Sequence, residues 1–541
     1  MPDVFAQLGV LLTVAWAAAA LAVVLRVRLP SVPARAADAV FHLAAIGYCI
    51  MLATLAIMRH DSLHSHAFDL GIFDQILWNS ARGHVMEASL IWDKATFLGN
   101  HISPTLLLFV PAYWLVSDPR VLLIGQAIAL TSGALPIYWY ARRESSNRSL
   151  ALVLALSYFT YPATLYVNLF DFHEFALAVP FMSFSIYFML TGRFLAFAVC
   201  ALLLLATKED LGVLVSMLGL RALLFHRQWL VGLPLAIGGV VWTALAISTL
   251  IPAKNPSGIY PFEALYAYLG ASQLDILVNL ITHPMRSLQI IFEMPKIEYV
   301  LRLLVPLGLL PLAGLTMWPL ALPTLAYLLL SADPGRYSIT TQYSAPLVPL
   351  FFFAAVEGCR RIIQRDFVAQ RAVTLSSLGD QPHPSTARRV RLITRVDNRR
   401  TLTAGIAAII AISALGSYVL HGPGLFAQGF DPKEFQLTDH ARTGLQLMKE
   451  IPADASVIAQ GDLVPQLSGR RVIYMWPWIG ELSTIDYILL DQQGNKYPLD
   501  DPEENYFRSV EEMRANTDFV VEREEDGYLL LRNIQTSKPA K

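Results

Sequence analysis

The residues best placed to do chemistry lie at Phe68–Gln75, FDLGIFDQ, where two carboxylates, Asp69 and Asp74, sit among large apolar side chains. The stretch follows a long apolar run and the histidines His60, His64 and His66, and His101-Ile102-Ser103-Pro104 comes shortly after it. A lipid-exposed acid at a membrane boundary is costly, so an acid there faces a cavity. The stretch therefore reads as the reaction pocket of a membrane-embedded enzyme, with the remaining segments built around it. On an unbroken helix, five positions turn the chain by about 140°. Asp69 and Asp74 thus cannot share one pocket unless Gly71 breaks the helix, and Asp69, nearer the boundary, is the preferred acid. The plainer reading of either acid is a helix cap or a solvent-facing charge.

The elements that position these residues are membrane spans. The chain of 541 residues is 55% hydrophobic and 15% charged, with mean hydropathy +0.47, against about 25% charged residues in soluble domains. Apolar runs near span length recur, which makes this an all-α polytopic membrane protein. About 12 spans are expected, at 5–25, 38–58, 120–140, 149–168, 174–190, 194–207, 211–226, 229–251, 300–317, 318–331, 343–358 and 402–420. Residues 5–25 are followed, not preceded, by Arg26, Arg28 and Arg35, the reverse of a signal peptide; they read as a retained first span with its N-terminus outside. Residues 104–117 are too short to cross and, with Tyr113-Trp114, suit an interfacial helix.

Charge orders the rest. Residues 421–541 carry 12 Lys+Arg and 20 Asp+Glu, a net −8, so the preceding part is basic. If the spans alternate, the connectors at Arg26–Arg35, Arg142–Arg148, Arg193, Arg221–Arg227 and the ten arginines of 359–400 share one side, taken as cytoplasmic. The opposite side receives FDLGIFDQ, HISP, Asp171-Phe172-His173-Glu174, Lys208-Glu209-Asp210, the loop 252–299, Arg336 to Tyr343, and the C-terminal part. The expected organisation is a transmembrane module over 1–358 with external loops 59–119 and 252–299. A basic linker at 359–400, of a composition suited to anionic lipid, and a last span at 401–420 follow, then a small extracytoplasmic α/β domain at 421–541. In that domain Leu437–Glu450 and Tyr506–Met513 have helical spacing, and Ser456–Ala459, Val472–Met475, Asp486–Leu490, Phe519–Glu522 and Tyr528–Leu531 read as strands. It has no phosphate loop and no dinucleotide fingerprint. The basic residues sit in short connectors, so no nucleic-acid partner is expected. Cys49, Cys200 and Cys359 lie in or beside apolar runs and offer no disulfide framework.

FDLGIFDQILWN, HISP, QYSAPLVPLFFFAA, IPADASVIAQGDLVPQLSGRRVIYMWP and DYILLD together resemble an uncharacterised family of predicted membrane proteins, DUF2079, grouped with the GT-C glycosyltransferases. The resemblance spans most of the chain. It implies a GT-C-like fold and transfer of a sugar from a polyprenyl-phosphate-linked donor to a cell-envelope glycan, lipid or protein. An acid in the first external loop would be general base, and basic residues would hold the donor phosphate. FDLG stands in the place of that acid, and QYSAPLVP resembles a late Arg/His-Tyr-x-x-Pro-x-x-Pro segment. This sequence departs from the pattern in having an extra first span and Gln342 where a cation is common.

Such a transfer needs a base for the acceptor hydroxyl and fixed positive charge for the departing phosphate. Asp69 and Asp74 are the candidate bases. Lys208, Arg336 and Tyr343 are the candidate phosphate ligands. The plain alternatives are a charge cluster paired within itself at a hairpin tip for Lys208-Glu209-Asp210 and a loop anchor for Arg336. Gln75, His101, Asp171, His173, Glu174, Glu209, Asp210 and Gln342 would line the pocket or the acceptor site. His64-x-His66 has no zinc-like second pair; a divalent cation, if used, would fall to Asp69, His101 and His173. Two rival readings are a transporter or flippase of a lipid-linked precursor and a non-catalytic envelope assembly protein. The first is disfavoured because no internal repeat is visible and the polar motifs lie at span ends.

Overall fold

The computed structural model describes all residues except 1, 31, 92–95, 146, 377–383, 478–480, 500–501 and 537–541. The linker positions 377–383 therefore lie outside the described residues.

Among the described residues six helices are long and apolar enough to cross a membrane: Val4–Val24, Ala34–Asp61, Arg120–Glu144, Arg148–Leu169, Trp229–Lys254 and Arg399–His421. The count of twelve is not reproduced. Phe175–Leu190, Phe194–Leu205, Leu211–His226 and Trp318–Leu329 are apolar but shorter; the 16 residues of Phe175–Leu190 make a rod of about 24 Å. The expected span 300–317 is broken. A helix ends at Leu304, Gly308 and Leu309 both take positive φ, and tight turns at Val305–Leu307 and Leu310–Ala313 carry Pro306 and Pro311. Proline removes a helical donor, and the loose backbone is tolerated because Val305, Pro306 and Leu307 are buried in protein. The basic stretch 359–400 is largely drawn into the helices Leu347–Ser376 and Pro384–His421, in keeping with the helix preference of Arg, Ala and Gln.

The short helices position the polar residues. Phe175–Leu190 starts at Glu174, and Phe194–Leu205 and Leu211–His226 form a hairpin whose tip is Ala206–Asp210. Leu211–His226 packs tightly on Trp229–Leu245, since a Cβ on Gly212 or Gly219 would overlap the facing backbone at Gly239 and Gly232. In the loop 252–299, the helices Gln273–Thr282 and Pro284–Ile291 bury no residue.

The C-terminal part folds around a five-stranded sheet: β1 Val457–Ala459, β2 Ile473–Met475, β3 Tyr487–Asp491, β4 Phe519–Glu525 and β5 Tyr528–Asn533. The order is β2-β1-β3-β5-β4; β1 runs parallel to β2 and β3, and β5 antiparallel to β3 and β4. Strand alternation splits the core. Ile458, Ile488 and Leu490 face the helix Pro502–Arg514 through Tyr506, Val510 and Met513. Val457, Ala459 and Leu489 face Asp439–Glu450, and that core continues through Val464 into Leu63, Ala67 and Leu90 of the membrane module. The loop that carries Asp69 is thus packed from behind by the sheet domain.

Candidate active site

The helix Ala34–Asp61 is separated from Ile72–Ser80 by a break at Phe68 (φ −74°, ψ 130°) and Asp69 (φ 80°, ψ −91°). The break lies two residues ahead of Gly71. Positive φ is uncommon for a residue with a side chain and persists only where surroundings hold it. Ala67 N–H donates to the Gly461 carbonyl at 2.9 Å, tying the break to the sheet domain. The Asp69 side chain keeps 26% of its surface exposed, with Oδ1 3.8 Å from His173 Nε2. Burial lifts its carboxyl from 3.8 to about 6, with Asp171 and Glu174 adding to the rise and His173 and Lys208 opposing it.

From Asp69 a chain of buried polar and ionisable groups runs inward. His173 Nδ1 is 2.9 Å from Glu174 Oε2, and Glu174 Oε1 accepts from Lys208 Nζ at 2.7 Å. Lys208 Nζ also lies 3.3 Å from His101 Nε2, and His101 Nδ1 is 2.7 Å from Glu209 Oε1. Glu209 accepts further from Ile102 N–H at 3.2 Å and Tyr260 O–H at 3.3 Å. Glu174 and Glu209 are fully buried and Lys208 nearly so, which is tolerable only because each charge is paired and hydrogen-bonded. Burial works against the Lys208 charge, but Glu174, Glu209 and Asp210 hold its ammonium above the ordinary value.

Arg336 is differently placed. It is 8% exposed, its guanidinium lies 4.8 Å from the Tyr343 ring and 5.6 Å from Phe262, and its Nε has no hydrogen-bond partner among the described residues. Tyr343 is within electrostatic reach of Arg336, Lys208 and Asp69. Gln342 Oε1 and Asp210 Oδ1 are buried atoms without a hydrogen-bond partner among the described residues.

The remaining expected residues divide. Asp171 accepts from Arg59 Nη1 at 2.8 Å and from His66 N–H at 2.9 Å, beside the Asp69 cavity. Asp74 is drawn away from that cavity. It is 1% exposed and accepts from Tyr113 O–H and Ser468 O–H, each at 2.7 Å. Gln75 goes with it, donating to Ser89 Oγ at 2.8 Å and to the Arg470 and Arg471 carbonyls at 3.3 Å. Both belong to the joint between module and sheet domain, because the helix that restarts at Ile72 turns them from Asp69. Asp69, His101 and His173 do not converge on a cation. Both His101 nitrogens are engaged, one beside a lysine, and among the described residues no group of three or more His, Cys, Asp or Glu is arranged to hold a metal.

Asp69 opens on a cavity of about 620 Å³. Arg59, His66, Tyr166 and Asp171 line it from the module, and Glu434, Asp462, Asn495 and Tyr497 from the other side. Sequence reasoning missed Arg59 and the C-terminal contributors. Arg59 closes an apolar helix, which was a usable signal, whereas Asp462, Asn495 and Tyr497 look like ordinary loop residues.

The chain is similar to several solved structures at low identity. The chain resembles the structure of ArnT from Cupriavidus metallidurans in the apo state at 12% identity and a TM-score of 0.49, over 92% of this chain and 98% of that one. The same protein bound to undecaprenyl phosphate gives 12% and 0.49, over 93% and 99%. The archaeal oligosaccharyltransferase AglB from Archaeoglobus fulgidus, in complex with an inhibitory peptide and a dolichol-phosphate, gives 10% and 0.38, over 84% and 69%. No curated protein matches the chain. The model of the family described as "Predicted membrane protein (DUF2079)" matches residues 59–530, from the end of the second long helix to the last strand, and the chain belongs to that family.

Proposed function

We propose that this protein is a membrane glycosyltransferase that moves a sugar from a polyprenyl-phosphate-linked donor to an acceptor hydroxyl outside the cytoplasm. The observation that carries the reading is Asp69, a carboxylate at a helix break, lifted to about 6 by burial and opening on a cavity of about 620 Å³. A carboxyl lifted to about 6 is mostly ionised at neutral pH and more basic than an ordinary aspartate, so it can accept a proton in the transition state. As the acceptor oxygen bonds to the sugar carbon, Asp69 takes the hydroxyl proton. The bond from that carbon to the phosphate oxygen breaks, and its electron pair leaves with the lipid phosphate.

Arg336 is the better candidate for the departing phosphate. It is buried against Tyr343 with an unpartnered nitrogen, and a guanidinium offers several donors to phosphate oxygens. Lys208 is already paired with Glu174 and favours a positioning role, holding Glu174 and through it His173 beside Asp69. If the spans alternate along the sequence, the basic connectors share the side opposite FDLGIFDQ and the C-terminal part. That arrangement favours an external working face.

The test compares envelope glycans and glycolipids by mass spectrometry in cells lacking the protein, cells restored with it, and cells restored with Asp69→Asn. The expected result is a product missing in the first, present in the second and missing in the third, at equal amounts of membrane-inserted protein. Full restoration by Asp69→Asn removes Asp69 as the base.

A further inference from the structure

The cavity beside Asp69 has two makers. One wall is the end of Ala34–Asp61, the break, and residues 166–171; the other is built by the loops after β1 and β3 of the sheet domain, at Gly461-Asp462 and Asn495–Tyr497. The walls are joined directly. Besides the bond from Ala67 to the Gly461 carbonyl, His66 Nδ1 is 2.7 Å from Asp462 Oδ1. Asn495 is fixed in its turn, its Oδ1 accepting from Tyr497 N–H at 3.0 Å.

We propose that this cavity is the acceptor site, and that the sheet domain reads the acceptor through Asp462, Asn495 and Tyr497. The acceptor so defined is a hydroxyl-rich saccharide that carries no negative charge. The assignment rests on the transferase reading above and extends it to the substrate class.

The lining selects that class. Asp69, Asp171, Asp431, Glu434 and Asp462 face a space in which Arg59 is already shared between Asp171 and Glu434. An anionic ligand meets repulsion there, whereas carboxylates are acceptor-only groups suited to hydroxyl donors. Phe68, Tyr166 and Tyr497 add aromatic surface, and Tyr497 is 58% exposed; a ring of that kind offers an apolar face with a polar edge to the C–H face of a sugar. The volume lies within the range of about 300–1,000 Å³ typical of ligand sites.

The experiment presents full-length protein in lipid nanodiscs with maltotriose, chitotriose and trigalacturonate, and reads binding by saturation-transfer NMR. At least one uncharged trisaccharide binds, and trigalacturonate does not. Tyr497→Ala combined with Asn495→Ala weakens binding by roughly tenfold or more, and Tyr497→Phe retains it. No binding of any probe, equal binding of trigalacturonate, or binding unchanged in the double variant overturns the proposal. Cells lacking the protein that keep every envelope glycan and glycolipid would end the transferase reading while leaving the binding result standing. Binding indifferent to Tyr497 and Asn495 would end this proposal while leaving the chemistry at Asp69 untouched.

Discussion

Asp69 and Asp74 stand on one short stretch, and burial lifts both carboxyls from 3.8 to about 6. Their surroundings differ. Asp69 sits at positive φ, its side chain makes no hydrogen bond among the described residues, His173 Nε2 lies 3.8 Å away, and it faces open space. Asp74 is inside a regular helix and has both oxygens occupied by hydroxyl donors. An acid short of partners has capacity left for a substrate proton; one with full partners is a joint. A perturbed pKa alone does not separate the two, and the geometry does.

The largest break in that comparison is expected from Asp69→Asn. Loss of a general base lowers the transfer rate by roughly 10²–10⁴-fold, measured as product formed per unit of membrane protein, while Asp74→Asn keeps most of the rate. The pH profile sharpens the point. A base must be deprotonated to act, so activity rises as pH passes upward through about 6, the value to which burial lifts Asp69. Below that pH the wild-type rate falls with proton concentration, and the residual rate of Asp69→Asn has no such step.

Next in size is Glu174→Gln. It leaves Lys208 buried without its 2.7 Å carboxylate, and breaking a buried pair costs about 3–5 kcal/mol. The check is thermal unfolding in detergent, together with partial recovery in Lys208→Met/Glu174→Gln, where both members of the pair are gone. A double variant no more stable than the single one would mean the pair is not what holds the hairpin tip.

These residues were visible in the sequence for one reason: ionisable groups at the ends of apolar runs must be partnered. His173-Glu174, Lys208-Glu209 and His101 stand beside apolar runs on the expected outer face, and the structure brings them into one chain. The strands were visible too, because Val457–Ala459 and Tyr487–Asp491 are bounded by turn residues and rich in β-formers. Asp74 and Gln75 were misjudged because their facing depends on a break two residues before the glycine, and their partners lie far along the chain, Ser468 394 positions on. The segment 300–317 looked like a span because hydropathy does not register that buried protein surroundings tolerate a broken helix.

Asp74→Ala probes the joint itself. It strips the acceptor from the Tyr113 and Ser468 hydroxyls, and leaving buried donors unmatched costs about 1–3 kcal/mol. Removing a charge that burial disfavours offsets part of that. The expected result is faster proteolytic release of the sheet domain at pH 7.5, with transfer activity falling only as far as the domain loosens. Unchanged proteolysis would place the hold elsewhere, in the apolar contacts of Val464 with the core that runs into Ala67.

The smallest effect is expected at the rim of the same joint. Arg471 Nη2 is 2.5 Å from Glu87 Oε2, and Nη1 donates to Asn79 Oδ1 at 3.2 Å, but the arginine and glutamate side chains are 47% and 38% exposed. An exposed pair gains little over hydration and is screened by salt, so Arg471→Ala should cost no more than about 1 kcal/mol. That cost should shrink as ionic strength rises, whereas the cost of Asp74→Ala should not, because its partners are neutral hydroxyls in a buried site. Measured side by side across salt, the two variants separate a joint held by buried hydrogen bonds from one held by surface charge. An Arg471→Ala loss as large as that of Asp74→Ala, and equally blind to salt, would reverse that assignment.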